Sequence, residues 1–498
     1  MVKRALLLST GERYVSLVVS FLTLAVVSRL LTPAEIGVSV IGMSILGIAM
    51  AVREFASSSF LIQQPELTPE DFRASFSVIL MLTLVISAVL ATMAPPLSAL
   101  FGEPGLVGYL RVIALAILVD TLSNYLISIL SRDMAFGRVA IIKTASTAVS
   151  SLSTITLAVL GFSFMSFAFG WLAGAVSAMA LAVSFRPHFW MFKPSLSRAR
   201  AVMRFGGYHG ASYLLFMMAE QLPYALLGKI ASIEAAAIYN RALTISQLPE
   251  KIFIGGAAPV ILPAFAAEFR EGRSLKKAYL HGLEIITALQ WPALLVLAIL
   301  AQPAVAIVLG AQWDAAVPVV RIFAVASLFS FSFALNDPVL TAVGAIRDVF
   351  IRHLVIFPVV ATVVTLAAFL GGLELTALSM LFVIPFRAFI SMRFVTRRLA
   401  LRWTEIAAAT RRSLVVTGTA VVGPLVMAVS GETPFVLPVP QALAAGGLAA
   451  AGWLAGLWMT GHPLRGEIAG AARSVSDLLF ARPAAPGAAA MVSKRETS

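Results

Sequence analysis

The 498-residue chain contains no cysteine. Disulfides, thiolate metal sites and a cysteine nucleophile are therefore excluded. Histidine occurs five times, at His188, His209, His281, His353 and His462, without an HExxH or other paired ligand spacing. No Walker A sequence, GxSxG elbow or aspartate cluster occurs, so ATPase, hydrolase and metal chemistry have no carrier. No cofactor and no enzymatic activity are expected. Charge is scarce at 12% of residues, against 59% hydrophobic and a mean hydropathy of +0.93. No soluble domain of this length could hide so much apolar surface.

The apolar residues are gathered into stretches of roughly 18 to 30, the length that a hydrocarbon core of about 30 Å requires. Fourteen spans are expected, at 12–31, 36–60, 75–95, 107–130, 138–160, 163–184, 208–228, 234–264, 279–301, 317–341, 353–371, 375–392, 413–430 and 438–459. The fold class is an all-α polytopic membrane protein. The net charge of +13 then reflects the positive-inside bias and an anionic leaflet, not nucleic acid. Most Lys and Arg fall in alternate gaps, densest at Arg186–Arg204, Arg270–Lys277 and Arg393–Arg412. The opposite loops Pro95–Gly105, Gln302–Ala316, Gly371–Glu374 and Gly431–Pro440 have neither residue, and Lys229 is the exception. This asymmetry places both termini in the cytoplasm. The start, MVKRALLLST, reads as a short cytoplasmic leader to a retained first span, because no small-residue cleavage site follows. The tail opens as a candidate amphipathic helix (PLRGEIAGAARSVSDLLF) and ends in Ala/Pro/Gly-rich sequence of disordered type.

The two halves resemble each other at an offset of about 200 residues. Gly11-Glu-Arg-Tyr14 aligns with Gly210-Ala-Ser-Tyr213, Pro96–Gly102 with Pro303–Gly310, and Leu110–Ala116 with Val320–Ala326. Six spans per copy is an even number, so the repeats are parallel, a construction common in secondary transporters. The expected division is a six-helix lobe at 1–185, a cytoplasmic linker at 186–207, a second lobe at 208–395, two further helices at 396–460 and a tail at 461–498.

Ionisable residues inside spans are costly and mark functional sites or structural pairs. Glu220 lies near the middle of the seventh span beside Gln221, and Arg241 lies early in the eighth. Thr244, Ser246 and Gln247 on the following turns suggest that Arg241 faces a water-filled cavity. Arg53 and Glu54 are adjacent, so they point about 100° apart on a helix and do not pair; snorkelling to the cytoplasmic boundary is the plain alternative. Asp120 in the fourth span and Lys143 at the start of the fifth are candidates for an internal pair. Arg387 is central in the twelfth span without a sequence neighbour to assign to it. Arg111 and Arg321 recur in the two repeats, which points to architecture.

Four segments resemble the polysaccharide transporter family of the multidrug/oligosaccharidyl-lipid/polysaccharide (MOP) exporter superfamily. They are SRLLTPAEIGVSVIGM at 28–43, SSSFLIQQPELTPEDF at 57–72, YNRALTISQLPEKIF at 239–253 with PVILPAF following, and LGAQWDAAVPVVRIFA at 309–324. The resemblance implies a Wzx-type flippase for undecaprenyl-diphosphate-linked oligosaccharide units in the bacterial inner membrane, serving exopolysaccharide, capsule or O-antigen assembly. It implies two lobes facing each other with access alternating between leaflets, and a polysaccharide polymerase and chain-length regulator as partners. Cationic cavity residues would hold the diphosphate, which maps onto Arg241 in the YNRA motif. Lys143 and Gln221 join it as substrate-binding candidates, with Glu220, Glu54 and Asp120 as carboxylates that could couple transport to H⁺ or Na⁺. A multidrug or cation antiporter on the same fold stays open, as does a polymerase or ligase, although no large extracytoplasmic loop exists for the latter.

Reporter fusions after Lys193, Lys276 and Arg402 are expected to give cytoplasmic signals, and fusions within 102–104 and 312–315 extracytoplasmic ones. An even number of crossings between Pro104 and Lys193 would overturn both the topology and the repeat.

Overall fold

The computed structural model describes residues 2–56, 68–186, 193–195, 199–256, 258–430 and 433–470. All regular structure among them is helical, as a bilayer demands of a chain whose backbone groups must satisfy one another. The first half comprises α1 (Val2–Leu30), α2 (Pro33–Arg53), α3 (Pro69–Phe101), α4 (Gly105–Arg132), α5 (Phe136–Val159) and α6 (Met165–Phe185). The second comprises α7 (Ala199–Leu226), α8 (Ile233–Ser246), α9 (Leu248–Phe253), α10 (Ala258–Arg270), α11 (Leu275–Ile299), α12 (Ala301–Val308), α13 (Ala316–Ala326), α14 (Phe333–Ala342) and α15 (Ile346–Leu399). Two more helices follow, α16 (Trp403–Ser430) and α17 (Val439–Thr460); α16 packs on both α11 and α17. Ten helical stretches among the described residues are long and apolar enough to cross a membrane. The candidate tail helix is described only as far as residue 470, and most of the segment at 57–72 lies outside the described residues.

Two of these helices start by the same device. Thr32 and Thr68 each receive the backbone N–H three residues on, while Glu35 and Asp71 accept from the threonine N–H at 2.8 and 2.9 Å. Pro33 and Pro69 occupy the first helical position, where a missing N–H costs nothing. The Thr-Pro-x-Glu/Asp pattern thus fixes where the chain re-enters a helix after each of the first two loops.

Two expected spans are not continuous helices. The segment 234–264 is divided into α8, α9 and α10, with the breaks beside Pro249 and at Gly255–Gly256. Pro249 lacks an N–H to continue the hydrogen-bond ladder, and the glycine pair weakens it. The segment 317–341 is interrupted by a 3-10 turn at Ser327–Ser332 between α13 and α14. Gln290 donates to the Ser330 hydroxyl at 3.0 Å and the Trp291 indole to the Leu328 carbonyl at 2.7 Å. These side chains of α11 satisfy polar groups that the tighter turn displaces. The spans expected at 353–371 and 375–392 are two separate helical arms of α15, 346–370 and 373–399, divided by non-helical backbone at Gly371 and Gly372. Gly372 takes φ 52° and ψ −132° there, a conformation that a side chain would strain.

The two halves meet along α2, which packs against α7 and α8. Helices associate in a bilayer by close packing of small residues, and α2 presents glycines at two of these contacts. Gly37 abuts the Ile233 carbonyl and Gly47 lies against the Gln221 side chain, while Gly210 of α7 rests on Phe55 and Gly228, just beyond α7, on Ile41. Within the first half, Gly170 and Gly174 of α6 let Thr154 and Ser150 of α5 approach closely. At the expected extracytoplasmic side a clasp joins the halves. Trp313, fully buried, donates from its indole to the Ser28 carbonyl at 2.8 Å. Gln312 donates to the carbonyls of Ser28 and Leu31, Arg29 to Ile307 at 2.5 Å, and Lys229 to Leu100 at 2.6 Å.

The glycine contacts give a direct comparison. A Cβ on Gly37 would collide with the Ile233 carbonyl, whereas one on Gly446 of α17 meets nothing within 4 Å. Gly37→Ala is expected to destabilise the purified protein by about 1–3 kcal/mol through overpacking. Gly446→Ala is expected to gain up to about 1 kcal/mol from helix propensity. Thermal unfolding in detergent measures both, and equal melting temperatures would remove the close contact at α2.

Candidate substrate and coupling site

A cavity of about 350 Å³ lies wholly within the second half, walled by α7, α8, α9, α13, α14, the 3-10 turn and both arms of α15. Its charged lining comprises two ion pairs and Glu250 of α9, which has no ion-pair partner among the described residues. Glu220 of α7 meets Arg387 of α15 at 2.7 Å, and Asp337 of α14 meets Arg352 of α15 at 2.5 Å. Both pairs join separate helices: Glu220–Arg387 lies within the expected spans, where an unmatched charge would be expensive, and Asp337–Arg352 lies at the edge of its spans, with the Asp337 side chain 52% exposed. Arg352 also donates to His353 Nε2 at 2.9 Å, and His353 Nδ1 lies 2.7 Å from the Ser212 hydroxyl. A guanidinium only donates, so Nε2 accepts and the proton of the neutral ring sits on Nδ1, directed to Ser212. Asn336 is held by Tyr279 at 2.7 Å and by Ser332. The wall is completed by aromatic faces, with Tyr239 and Phe323 edge to face at 4.9 Å and Phe333 5.6 Å from the Arg387 guanidinium.

The cavity brings together only part of the set expected from sequence. Glu220 lines it, and Arg387, unassignable from its neighbours, is its partner. Gln221, the next residue, turns away and packs on Gly47 of α2. Arg241 does not line the cavity. It is 7% exposed, its Nε has no hydrogen-bond partner among the described residues, and its guanidinium lies 5.9 Å from the Trp313 ring, with Asn240 accepting at 3.4 Å. The polar residues on its following turns do not decide its direction. Trp313, which returns from a distant loop, covers it, and Ser246 donates to backbone carbonyls of Ala242 and Val320.

The first half has its own internal pair, with a different partner from the one expected. Asp120 meets Arg53 at 3.8 Å, not Lys143, and Arg53 also donates to Thr121 at 3.0 Å. Arg53 therefore turns into the helix bundle instead of snorkelling to the boundary. Lys143, near the start of α5, is exposed and has no acidic partner among the described residues. Glu54 caps α2 and begins the single 3-10 turn Glu54–Ala56. Arg321 donates to the Phe435 carbonyl at 3.2 Å, and Arg111 is exposed. Asp337, Arg352 and His353 were not singled out from sequence. Their signal was an aspartate inside an expected span and a basic pair at the edge of the next.

In architecture the chain is an all-helical multi-pass membrane protein. It superposes on the lipid II flippase MurJ in an inward closed conformation with a TM-score of 0.68 at 10% identity, covering 90% of this chain and 97% of that one. An inward-facing multidrug resistance MATE family transporter of the MOP superfamily gives 0.61 at 16% identity, over 77% and 94%. Sequence supplies the family. Residues 26–318 match the model described as polysaccharide biosynthesis protein, and the chain belongs to that family. Relatives include the succinoglycan biosynthesis transport protein ExoT of Rhizobium meliloti (strain 1021), 25% identical over 65% of this chain and 66% of its own length. The lipopolysaccharide biosynthesis protein WzxC of Escherichia coli (strain K12) is 20% identical over 61% and 62%. Each match thus spans less than two thirds of the relative's length.

A double-mutant cycle measures the cavity pair. Glu220→Gln or Arg387→Gln alone leaves one charge without its partner and is expected to cost about 1.5–3 kcal/mol of stability. The double substitution should recover most of that loss. Additive losses in detergent unfolding would mean that the two side chains do not interact.

Proposed function

We propose that the protein is a flippase that carries undecaprenyl-diphosphate-linked oligosaccharide units across the bacterial inner membrane for surface polysaccharide assembly. Membership of a polysaccharide biosynthesis family supports this reading, and one observation carries it into mechanism: a polar, ion-paired cavity inside a helix bundle that otherwise faces lipid. Such a chain must shelter a diphosphate and sugars from hydrocarbon while the polyprenyl tail stays in the bilayer. The arrangement that fits is fourteen crossings with cytoplasmic termini, in two six-helix lobes at 1–185 and 208–395 that alternate in access.

Each candidate then has a distinct task. Lys143, exposed and without an acidic partner among the described residues, is the cation best placed to meet the diphosphate from the first lobe. Glu220 is the coupling carboxylate: protonation would release Arg387, and the membrane's proton gradient would thereby bias the packing of α7 against α15. Asp120 and Glu54 would be the corresponding carboxylates of the first lobe, with Asp120 committed to Arg53. Arg241 acts through Trp313, holding the extracytoplasmic clasp that must part when the substrate leaves. A polymerase and a chain-length regulator would take the product on the far side.

Deleting the gene is expected to stop surface polysaccharide while lipid-linked units accumulate on the cytoplasmic leaflet. Leaflet-resolved extraction of the lipid-linked pool measures this. A mutant that fails to make the lipid-linked unit would point to a synthetic role, and intact polysaccharide with altered drug sensitivity to an antiporter.

A further inference from the structure

We infer that the groove between the second arm of α15 and α16 is a binding site for an anionic glycerophospholipid of the cytoplasmic leaflet. A space of about 590 Å³ lies there, and its rim residues Phe329, Phe389 and Leu414 are exposed. None of its lining side chains is charged and only Thr417 carries a hydroxyl. Thr417 and the Trp291 indole both donate to backbone carbonyls. Hydrocarbon is therefore what fits, and the dimensions say which kind. The lining of α16 runs from Trp403 to Thr417, about 21 Å of helix at 1.5 Å per residue. That exceeds half of a hydrocarbon core of about 30 Å, so a chain anchored at one membrane surface can lie along it at full length. At about 30 Å³ per water-sized group the space takes roughly twenty. This is the size of one acyl chain and well short of an undecaprenyl tail.

Charge at the rim identifies the headgroup. Arg393 is four residues beyond Phe389 on α15, and Arg411 is four beyond Ala407 on α16. Each thus continues the helix face that lines the groove. Both are exposed and neither has an ion-pair partner among the described residues, whereas nearby Arg398 and Arg412 are closed on Asp348 and Glu284. Exposed Arg402 precedes Trp403, whose ring stacks on Phe389 at 5.6 Å; tryptophan is enriched where headgroups meet hydrocarbon. The three arginines fall in the Lys/Arg-dense segment expected on the cytoplasmic side, where anionic lipids are concentrated. A zwitterionic lipid would bring its own cation against the same guanidinium groups. The groove also shares a wall with the ion-paired cavity. The turn at Ser327–Ser332 gives Leu328 to the groove and Ser330 to the cavity, and the second arm of α15 gives Ala388 to one and Arg387 to the other. An acyl chain here backs the wall that holds Arg387 against Glu220.

Tryptophan quenching tests the site, since Trp291 and Trp403 line it. Full-length protein in nonionic detergent is titrated with phosphatidylglycerol or phosphatidylcholine brominated on the acyl chain, with and without undecaprenyl phosphate as competitor. Saturable quenching by the phosphatidylglycerol is expected, at least about tenfold tighter than by the phosphatidylcholine, and Trp403→Phe should remove most of it. Arg393→Gln with Arg411→Gln should weaken binding roughly thirtyfold, a factor of about five for each arginine near the membrane surface. Ala407→Phe, at an exposed position of the lining, should abolish it. Arg13→Gln with Arg270→Gln, which removes two exposed arginines outside the groove, should leave affinity within about twofold. Equal affinity for the two phospholipids, or equal losses in the two arginine pairs, would reduce the groove to bulk lipid contact and overturn the site. Saturable quenching that survives Trp403→Phe would place the lipid elsewhere. Displacement of the phosphatidylglycerol by an equal concentration of undecaprenyl phosphate would assign the groove to a polyprenyl chain and overturn the proposal as well.

Discussion

A guanidinium surrounded by hydrocarbon stays folded in place only where a carboxylate or a π face answers it, and this constraint shapes the interior of the protein. Arg53 is answered by Asp120, Arg387 by Glu220, Arg352 by Asp337, and Arg241 by the Trp313 ring. Each link joins elements that are separate in the chain: α2 to α4, α15 to α7, α15 to α14, and α8 to the loop before α13. The bundle cannot rearrange at these points without breaking or exchanging a pair. Net stability from such pairs is small, because desolvation consumes most of the attraction. What they supply is a restricted set of packings, which is the property an alternating transporter needs.

The discontinuities in the helices serve the same end. A continuous span of α13 and α14 would place every carbonyl in the ladder and leave no polar wall. The 3-10 turn at Ser327–Ser332 turns Ser327 and Ser330 to the cavity and Leu328 and Phe329 to the outside, where Trp291 meets the displaced carbonyl. The break at Gly371–Gly372 lets two successive helical arms present Arg352 from one and Arg387 from the other to the same space.

Much of the fold was legible in the sequence, because its cause is local. Apolar length announces a span, and Thr-Pro-x-Glu announces a helix start whatever surrounds it. The break in the 317–341 segment was hidden by apolar length, which satisfies the hydropathy of a span without testing its geometry, whereas the one beside Pro249 lies among Gln247, Glu250 and Lys251, polar residues that the expected span 234–264 overran. The site was legible only by halves. Glu220 stood out as a carboxylate within a span, yet nothing near it named Arg387, and Asp120 found Arg53 where Lys143 was the expectation. Pairing is set by which helices meet, and that information is spread over the whole chain. Arg241 shows the same limit. Its motif and the polar residues on its next turns suggested a wet cavity, but burial was decided by Trp313, a residue from another element.

The clasp between the halves is built asymmetrically. Arg29, Lys229, Gln312 and Trp313 act as side-chain donors, whereas the acceptors at Ile307, Leu100, Ser28 and Leu31 are backbone carbonyls. A carbonyl survives almost any change of side chain at its position. Sequence drift at the accepting sites therefore leaves the latch intact so long as the helix ends keep their course. The evolutionary liability is concentrated in four donor side chains, and divergence of lobe contacts across related chains has far more freedom on one side of each bond than on the other.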